Sequence, residues 1–420
     1  MKHSIDSVHA HEILDSRGNP TVHVSVMLKN GMIASASVPS GASTGIHEAL
    51  ELRDNDSKRY GGKGVLKAVH HVNTILKKTV VGMDPTQPRR IDEVMIARDG
   101  TPNKQRLGAN AILGVSLACA HAGAKAMKMP LYQFLRFAYD LPYKTYRMPI
   151  PTMNVLNGGA HAGWILDFQE FMIVPMQKKF SERYRCGAEV FHALGEILKD
   201  KGFSTLKGDE GGYAITLKQN EEAIKLILQA VAKAHYRAGR DVFLAIDPAV
   251  SELYDAKHHT YKLKTDHTTF TREQMIARWE DWVKKYPIIS IEDGLDQDDW
   301  EGWTEMTTRL GKKVALIGDD FFVTNVARLQ TGIEKKAANA ILIKVNQIGS
   351  LSEAIEAILL AKKAKYKISV SHRSGETGDT TIADLAVAVN ADYIKSGSLS
   401  RSERLAKYNR LLEIEEEVKV

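Results

Sequence analysis

The stretches Val242-Phe243-Leu244-Ala245-Ile246-Asp247, Ile288-Ile289-Ser290-Ile291-Glu292 and Val314-Ala315-Leu316-Ile317-Gly318-Asp319 share one pattern, a short apolar run that ends on a carboxylate. Three further runs continue it: residues 341–343 ending in Lys344, residues 368–371 ending in His372 and Arg373, and Tyr393-Ile394 ending in Lys395. Counted through Arg373, the polar tips lie 45, 27, 25, 29 and 22 positions apart, the spacing of one strand plus one crossover helix. In the intervening segments Thr271 with Gln274 and Ser350 with Glu353 match a capping box, each followed by apolar residues at helical intervals. Repeated βα units with apolar strands and polar C-terminal ends predict an α/β fold, a TIM-type barrel with its active site at that face. No G-x-G-x-x-G opens a first helix, which argues against the dinucleotide-binding open sheet.

Upstream of the runs the pattern changes. Residues 21–28 alternate like a half-buried strand, Asn30-Gly31 reads as a turn, and residues 32–38 read as the hairpin partner. Residues 70–79 and 110–128 have helical spacing, the second closing near Pro130. Residues 139–151, with Pro142, Pro149 and Pro151, read as a linker. The expected division is therefore a smaller α+β domain over residues 1–138 and a barrel over residues 139–420.

The composition is that of a globular protein: 420 residues, a net charge of +6, 44% hydrophobic and 26% charged. A disordered chain is excluded, and no apolar run reaches the roughly 18 residues of a membrane span. Two cysteines make neither a disulfide framework nor a four-ligand zinc site, and the first residues have no apolar signal-peptide core, so a cytoplasmic protein is expected. Acids and bases are interleaved and no nucleic-acid-binding signature occurs, so no nucleic-acid partner is expected.

In strand order the tips read Asp, Glu, Asp, Lys, His-Arg-Ser, Lys. Three carboxylates converging on one mouth repel one another unless a cation neutralises them, and oxygen-only ligands point to Mg²⁺ or Mn²⁺, with Asp247, Glu292 and Asp319 as the ligands. Lys344 starts from an apolar strand; a buried lysine beside a metal and Lys395 is expected to be pulled towards neutrality and to serve as a base. Arg373 and Ser374 offer a planar donor fork and a hydroxyl, which suit a phosphate. Glu210, in Gly208-Asp209-Glu210-Gly211-Gly212, and His161 with Gln169 and Glu170 add further acid and imidazole.

Long motifs carry a resemblance to the enolase family, of the bacterial kind. They are Asp15-Ser16-Arg17-Gly18-Asn19-Pro20, Ser40-Gly41-Ala42-Ser43-Thr44-Gly45, Gly108-Ala109-Asn110-Ala111-Ile112-Leu113 and the Gly208 run. Ser290-Ile291-Glu292-Asp293-Gly294-Leu295, Lys344-Val345-Asn346-Gln347 and Arg401-Ser402-Glu403-Arg404-Leu405-Ala406-Lys407 continue the series. The resemblance implies reversible dehydration of 2-phospho-D-glycerate to phosphoenolpyruvate with two Mg²⁺ ions per active site. It implies that Asp247, Glu292 and Asp319 hold one ion while Ser43 helps to hold the other. It makes Lys344 the base at C2 and Glu210 the acid at the C3 hydroxyl, supported by Glu170, with His161 closing over the substrate. Gln169, His372, Arg373, Ser374 and Lys395 would bind substrate, and a homodimer or larger homo-oligomer is implied. Gly41-Ala42-Ser43-Thr44-Gly45 also spells a hydrolase nucleophile elbow, but Pro39 stands where that motif needs a strand end. Gly163-Trp164-Ile165-Leu166 and Pro248-Ala249-Val250 depart from the family pattern, both in segments expected to be loops.

Overall fold

A computed structural model describes residues 3–41 and 45–418. The chain opens with an antiparallel meander of β1 (Ile5–Leu14), β2 (Pro20–Leu28) and β3 (Ile33–Ser37). The hairpin expected around Asn30-Gly31 forms, with Met27 opposite Ile33. Its inward residues, Val22, Val24, Val26, Ala34 and Ala36, pack on the helix Ala109–Met127. That helix is buried almost all round because its residues are mostly small, and it ends at Lys128 in the left-handed conformation two residues before Pro130. The expected helix over 70–79 spans three pieces, Leu66–His71, a π turn at Val72–Leu76, and Lys77–Val80.

Eight strands close the barrel in the order β4 (Ile150–Asn157), β5 (Glu170–Pro175), β7 (Val242–Asp247), β11 (Ile288–Glu292), β12 (Ala315–Gly318), β13 (Ala340–Ile343), β14 (Lys367–Ser371) and β15 (Tyr393–Lys395), which pairs back onto β4. The short β6 (Tyr213–Ala214) adds to the far side of β4, and β8 (Tyr254–Asp255), β9 (Thr260–Leu263) and β10 (Thr268–Phe270) form a separate small sheet. The six strands read from sequence are all present.

The expected barrel is present, with one strand reversed: β5 runs antiparallel to both β4 and β7. A loop over 158–169 with only one short 3₁₀ turn joins β4 to β5, and without a crossover helix the chain returns in the opposite direction. Two expectations are corrected. The stretch 139–151 is not all linker, since Ile150 and Pro151 already pair with Tyr393 and Ile394. At Ser350 only half of the capping box forms. Its hydroxyl accepts from the Glu353 N–H, but the Glu353 carboxylate accepts from the Ser350 hydroxyl and Lys104 Nζ instead of the cap N–H. The box at Thr271 and Gln274 is complete.

The two parts of the chain meet around the barrel mouth. Ser40 and Gly375 exchange backbone hydrogen bonds, each 2.8 Å. A Cβ on Gly375 would run into the Asp15 carboxylate and the Arg17 guanidinium, so a larger residue would displace those side chains. Lower down, Asp92 accepts from the N–H and hydroxyl of Ser352 at 2.9 and 2.6 Å.

Candidate active site

The barrel topology gathers the polar tips. Asp247, Glu292 and Lys395 end their strands, Asp319 and Lys344 follow theirs, and His372, Arg373 and Ser374 follow β14. Ser371 lies opposite Lys395 in register and Glu292 opposite Ile317, so the tips stand at one level. The antiparallel β5 presents its first residue there, and Glu170 pairs directly with Asp247. The loop before β5 brings in His161 and Gln169. Glu210 enters from the loop before β6.

Together they line a narrow pocket formed by His161, Gln169, Glu170, Glu210, Asp247, Lys344, Ser371, His372, Arg373, Ser374 and Lys395. Glu292 and Asp319 join it through the lysines. Lys395 Nζ lies 2.8 Å from Asp247, 2.7 Å from Glu292 and 3.0 Å from Glu170, and Lys344 Nζ lies 2.5 Å from Asp319. Ser43 lies outside the described residues. His161 and Glu170, which as isolated residues would read as an ordinary loop histidine and a solvated acid, are both buried.

Charge sets the protonation pattern. Burial lowers the affinity of both lysines for a proton, but the facing carboxylates outweigh it and hold Lys344 above and Lys395 well above the ordinary lysine value. Asp319 and Asp320 on their own hold Lys344 as an ammonium, whereas the expected drift towards neutrality is for a site with a divalent cation beside the lysine. Burial and then the charge of Glu210 push Glu170 well up, whereas for Glu210 burial is overcome by His161 and His372 and it stays low. Burial and then Asp247 raise Glu292, and burial and then Asp319 raise Asp293.

The donor set fits a divalent cation. Five buried carboxylates, Glu170, Glu210, Asp247, Glu292 and Asp319, face three fixed cations, Lys344, Arg373 and Lys395. Glu170 Oε2 makes no hydrogen bond, nor do the His161 Nδ1 and His372 Nε2 atoms beside Glu210. Oxygen-rich groups whose ligand atoms all lie within 4.8 Å occur at Asp293–Asp319–Asp320 and, with one imidazole, at His161–Glu170–Glu210. Oxygen donors with a surplus of negative charge suit Mg²⁺.

Several residues here were not singled out from sequence. Glu48 clamps Arg373 with two hydrogen bonds of 3.0 and 3.1 Å, while Asn346 accepts a third at 3.1 Å. Asn154 donates to Glu210 at 2.9 Å, and Arg404 Nη1 lies 2.6 Å from His372 Nδ1. Asp293 accepts the backbone N–H groups of both Asp319 and Asp320 at 2.8 Å, fixing the turn that carries Asp319. Asp293 and Arg404 stand inside the quoted motifs and Asp320 directly follows the quoted Asp319, so adjacency to a recognised residue was the available signal. Asn154, a polar residue in an otherwise buried strand, was a weaker one.

The atypical loop near His161 is tied at its base, with Trp164 N donating to Gly159 O at 2.8 Å and Leu166 fully buried. Trp164 itself is 44% exposed at a φ of 64°, which is strained for a tryptophan.

Family models match both parts of the chain: the enolase N-terminal domain over residues 5–135 and the enolase C-terminal TIM barrel domain over residues 145–420.

Proposed function

Because the chain belongs to the enolase family, we propose that it catalyses the reversible dehydration of 2-phospho-D-glycerate to phosphoenolpyruvate, with two Mg²⁺ ions per active site. The observation that carries this reading is the combination, around one buried cavity, of Lys344 and Glu210 with the Arg373–Ser374 pair and the surplus of carboxylates. A hydroxy acid bearing a phosphate needs those groups together: a base at C2, an acid at C3 and a donor fork for the phosphate.

The chemistry is difficult because electrons leaving the C2–H bond move onto a carboxylate that is already negative. When bound, Mg²⁺ supplies the concentrated positive charge that this needs, with Asp247, Glu292 and Asp319 as the residues to hold one ion and Ser43 to help with the other. Arg373 and Ser374 bind phosphate, with Gln169, His372 and Lys395 as further substrate contacts. Lys344 Nζ takes the C2 proton. It does so once Asp319 is engaged elsewhere, since that carboxylate is what keeps the ammonium charged. Glu210 assists departure of the C3 hydroxyl, supported by Glu170, and His161 closes over the substrate.

Formation of an ultraviolet-absorbing enol phosphate from 2-phosphoglycerate, dependent on Mg²⁺, tests the reading. Folded, Mg²⁺-loaded protein that produces none, while acting on a different carboxylate in a substrate panel, would replace it with another member of the superfamily. The chain is proposed to work as a homodimer or larger homo-oligomer, which mass by light scattering checks.

A further inference from the structure

We propose that the outer face of the N-terminal sheet carries a second, chemically distinct metal site, for a divalent transition cation such as Zn²⁺ or Cu²⁺, built from His9, His11 and His23. His11 and His23 are direct cross-strand partners between β1 and β2, and His9 stands two residues along β1 on the same face. The opposite face is the one that buries Val8, Ala10, Val22 and Val24 against the core, so the three imidazoles share the solvent side. His9 and His11 are exposed and His23 is half-buried.

The ring geometry suits chelation. The centroids of His11 and His23 are 4.9 Å apart and those of His9 and His11 are 6.2 Å apart. Two imidazoles that bind one Zn²⁺ at 2.0–2.1 Å have ring centres about 5 Å apart. The ring centres of His11 and His23 stand at that separation, while bringing three ring nitrogens onto one ion takes side-chain rotation, His9 most of all. His23 Nδ1 is engaged with Ser37 Oγ at 2.8 Å, which fixes the ring and leaves Nε2 as the ligand atom. Asp379 is occupied with the backbone N–H groups of Ser37 and Thr381 and acts on His23 through its charge. Burial and the neighbouring His11 hold His23 below the ordinary histidine value, so it presents a lone pair at neutral pH without first losing a proton.

Imidazole donors select zinc, copper or nickel over Mg²⁺, whereas the barrel mouth is predominantly carboxylate oxygen. The two sites therefore discriminate by chemistry. Among the described residues the mouth sets two imidazoles, His161 and His372, among its more numerous carboxylates.

Calorimetric titration of Zn²⁺ into EDTA-stripped protein held in saturating Mg²⁺ tests the proposal. One site per chain is expected, weakened at least tenfold in the His11→Asn/His23→Asn variant and less in His9→Asn, with the dehydration rate in Mg²⁺ unchanged. Unaltered zinc binding in the double variant would overturn it. Electron paramagnetic resonance of the unmodified protein with Cu²⁺ provides a reading that needs no variant. Hyperfine structure from two or three nitrogens supports the site, and a spectrum of oxygen ligation alone refutes it.

Discussion

Lys344 and Glu210 line one cavity but answer to different partners, Lys344 to Asp319 and Glu210 to Asn154, His161 and His372. Replacing each should therefore separate the two halves of the reaction. Lys344→Ala is expected to abolish exchange of the C2 proton with solvent deuterium and to lower turnover by about 10²–10⁴. Glu210→Gln is expected to stop dehydration yet retain measurable exchange, read by proton NMR of 2-phosphoglycerate in D₂O. Loss of exchange in both to the same degree would contradict the division of roles. Glu48 acts one step further out, since its two oxygens orient the guanidinium of Arg373. Glu48→Gln keeps the shape and removes the bidentate charge pair, so KM for the phosphorylated substrate should rise about tenfold, equivalent to roughly 1.4 kcal/mol, with little change in kcat. A fall in kcat at unchanged KM would instead make Glu48 part of the chemistry.

Among the elements, the pairing of the helix Pro88–Asp99 with the barrel helix Leu351–Lys363 rests on a buried acid. Asp92 is fully buried, one of its oxygens takes both bonds from Ser352, the other takes none, and burial raises its carboxyl to about 6. A carboxyl raised from 3.8 in the unfolded chain stabilises the fold fully only below that value, and the contribution is lost as pH climbs through about 6. The loss amounts to as much as about 3 kcal/mol. Asp92→Asn should flatten the decline in Tm between pH 4 and 6.5, and an unchanged slope would place the cost elsewhere. The same scale shows what could be read from sequence. Strands β7 and β11 to β15 announced themselves because each is a short, mostly apolar run that closes on, or is followed by, a charged or polar residue. β4 and β5 did not: β4 carries Thr152, Asn154 and Asn157 among its apolar residues, and one of these, Asn154, serves Glu210. The antiparallel turn of β5 was equally hidden, because strand direction follows from the length and content of a connection and not from the strand's own residues. The site residues at strand ends were legible for the same reason that the strands were, whereas Glu48 was not, since its partner Arg373 lies 325 positions away.

For the whole molecule the decisive quantity is the charge left at the barrel mouth. Burial and mutual repulsion raise Glu170, Glu292 and Asp293, so in the absence of metal each favours folding at low pH and ceases to do so as pH rises through its folded-state value. A divalent cation competes with those protons for the same oxygens, so it binds more tightly as pH rises. Binding only to the folded chain stabilises it by RT ln(1 + [Mg²⁺]/Kd), about 2.7 kcal/mol at a hundredfold excess over Kd. Two consequences follow. The melting temperature in Mg²⁺ should exceed that in EDTA, and the gap should widen steadily from pH 5 to pH 8. Replacing Glu292 by Gln should narrow the gap at pH 8 while raising the melting temperature in EDTA, because Glu292, Asp247 and Glu170 share the one ammonium of Lys395 and the substitution removes a carboxylate that the cation would otherwise help to compensate. Differential scanning calorimetry across that pH range reads both quantities. A gap that stayed constant with pH would mean that the ion neither displaces protons from these carboxylates nor owes its affinity to them, and the assignment of Asp247, Glu292 and Asp319 as its ligands would fall with it.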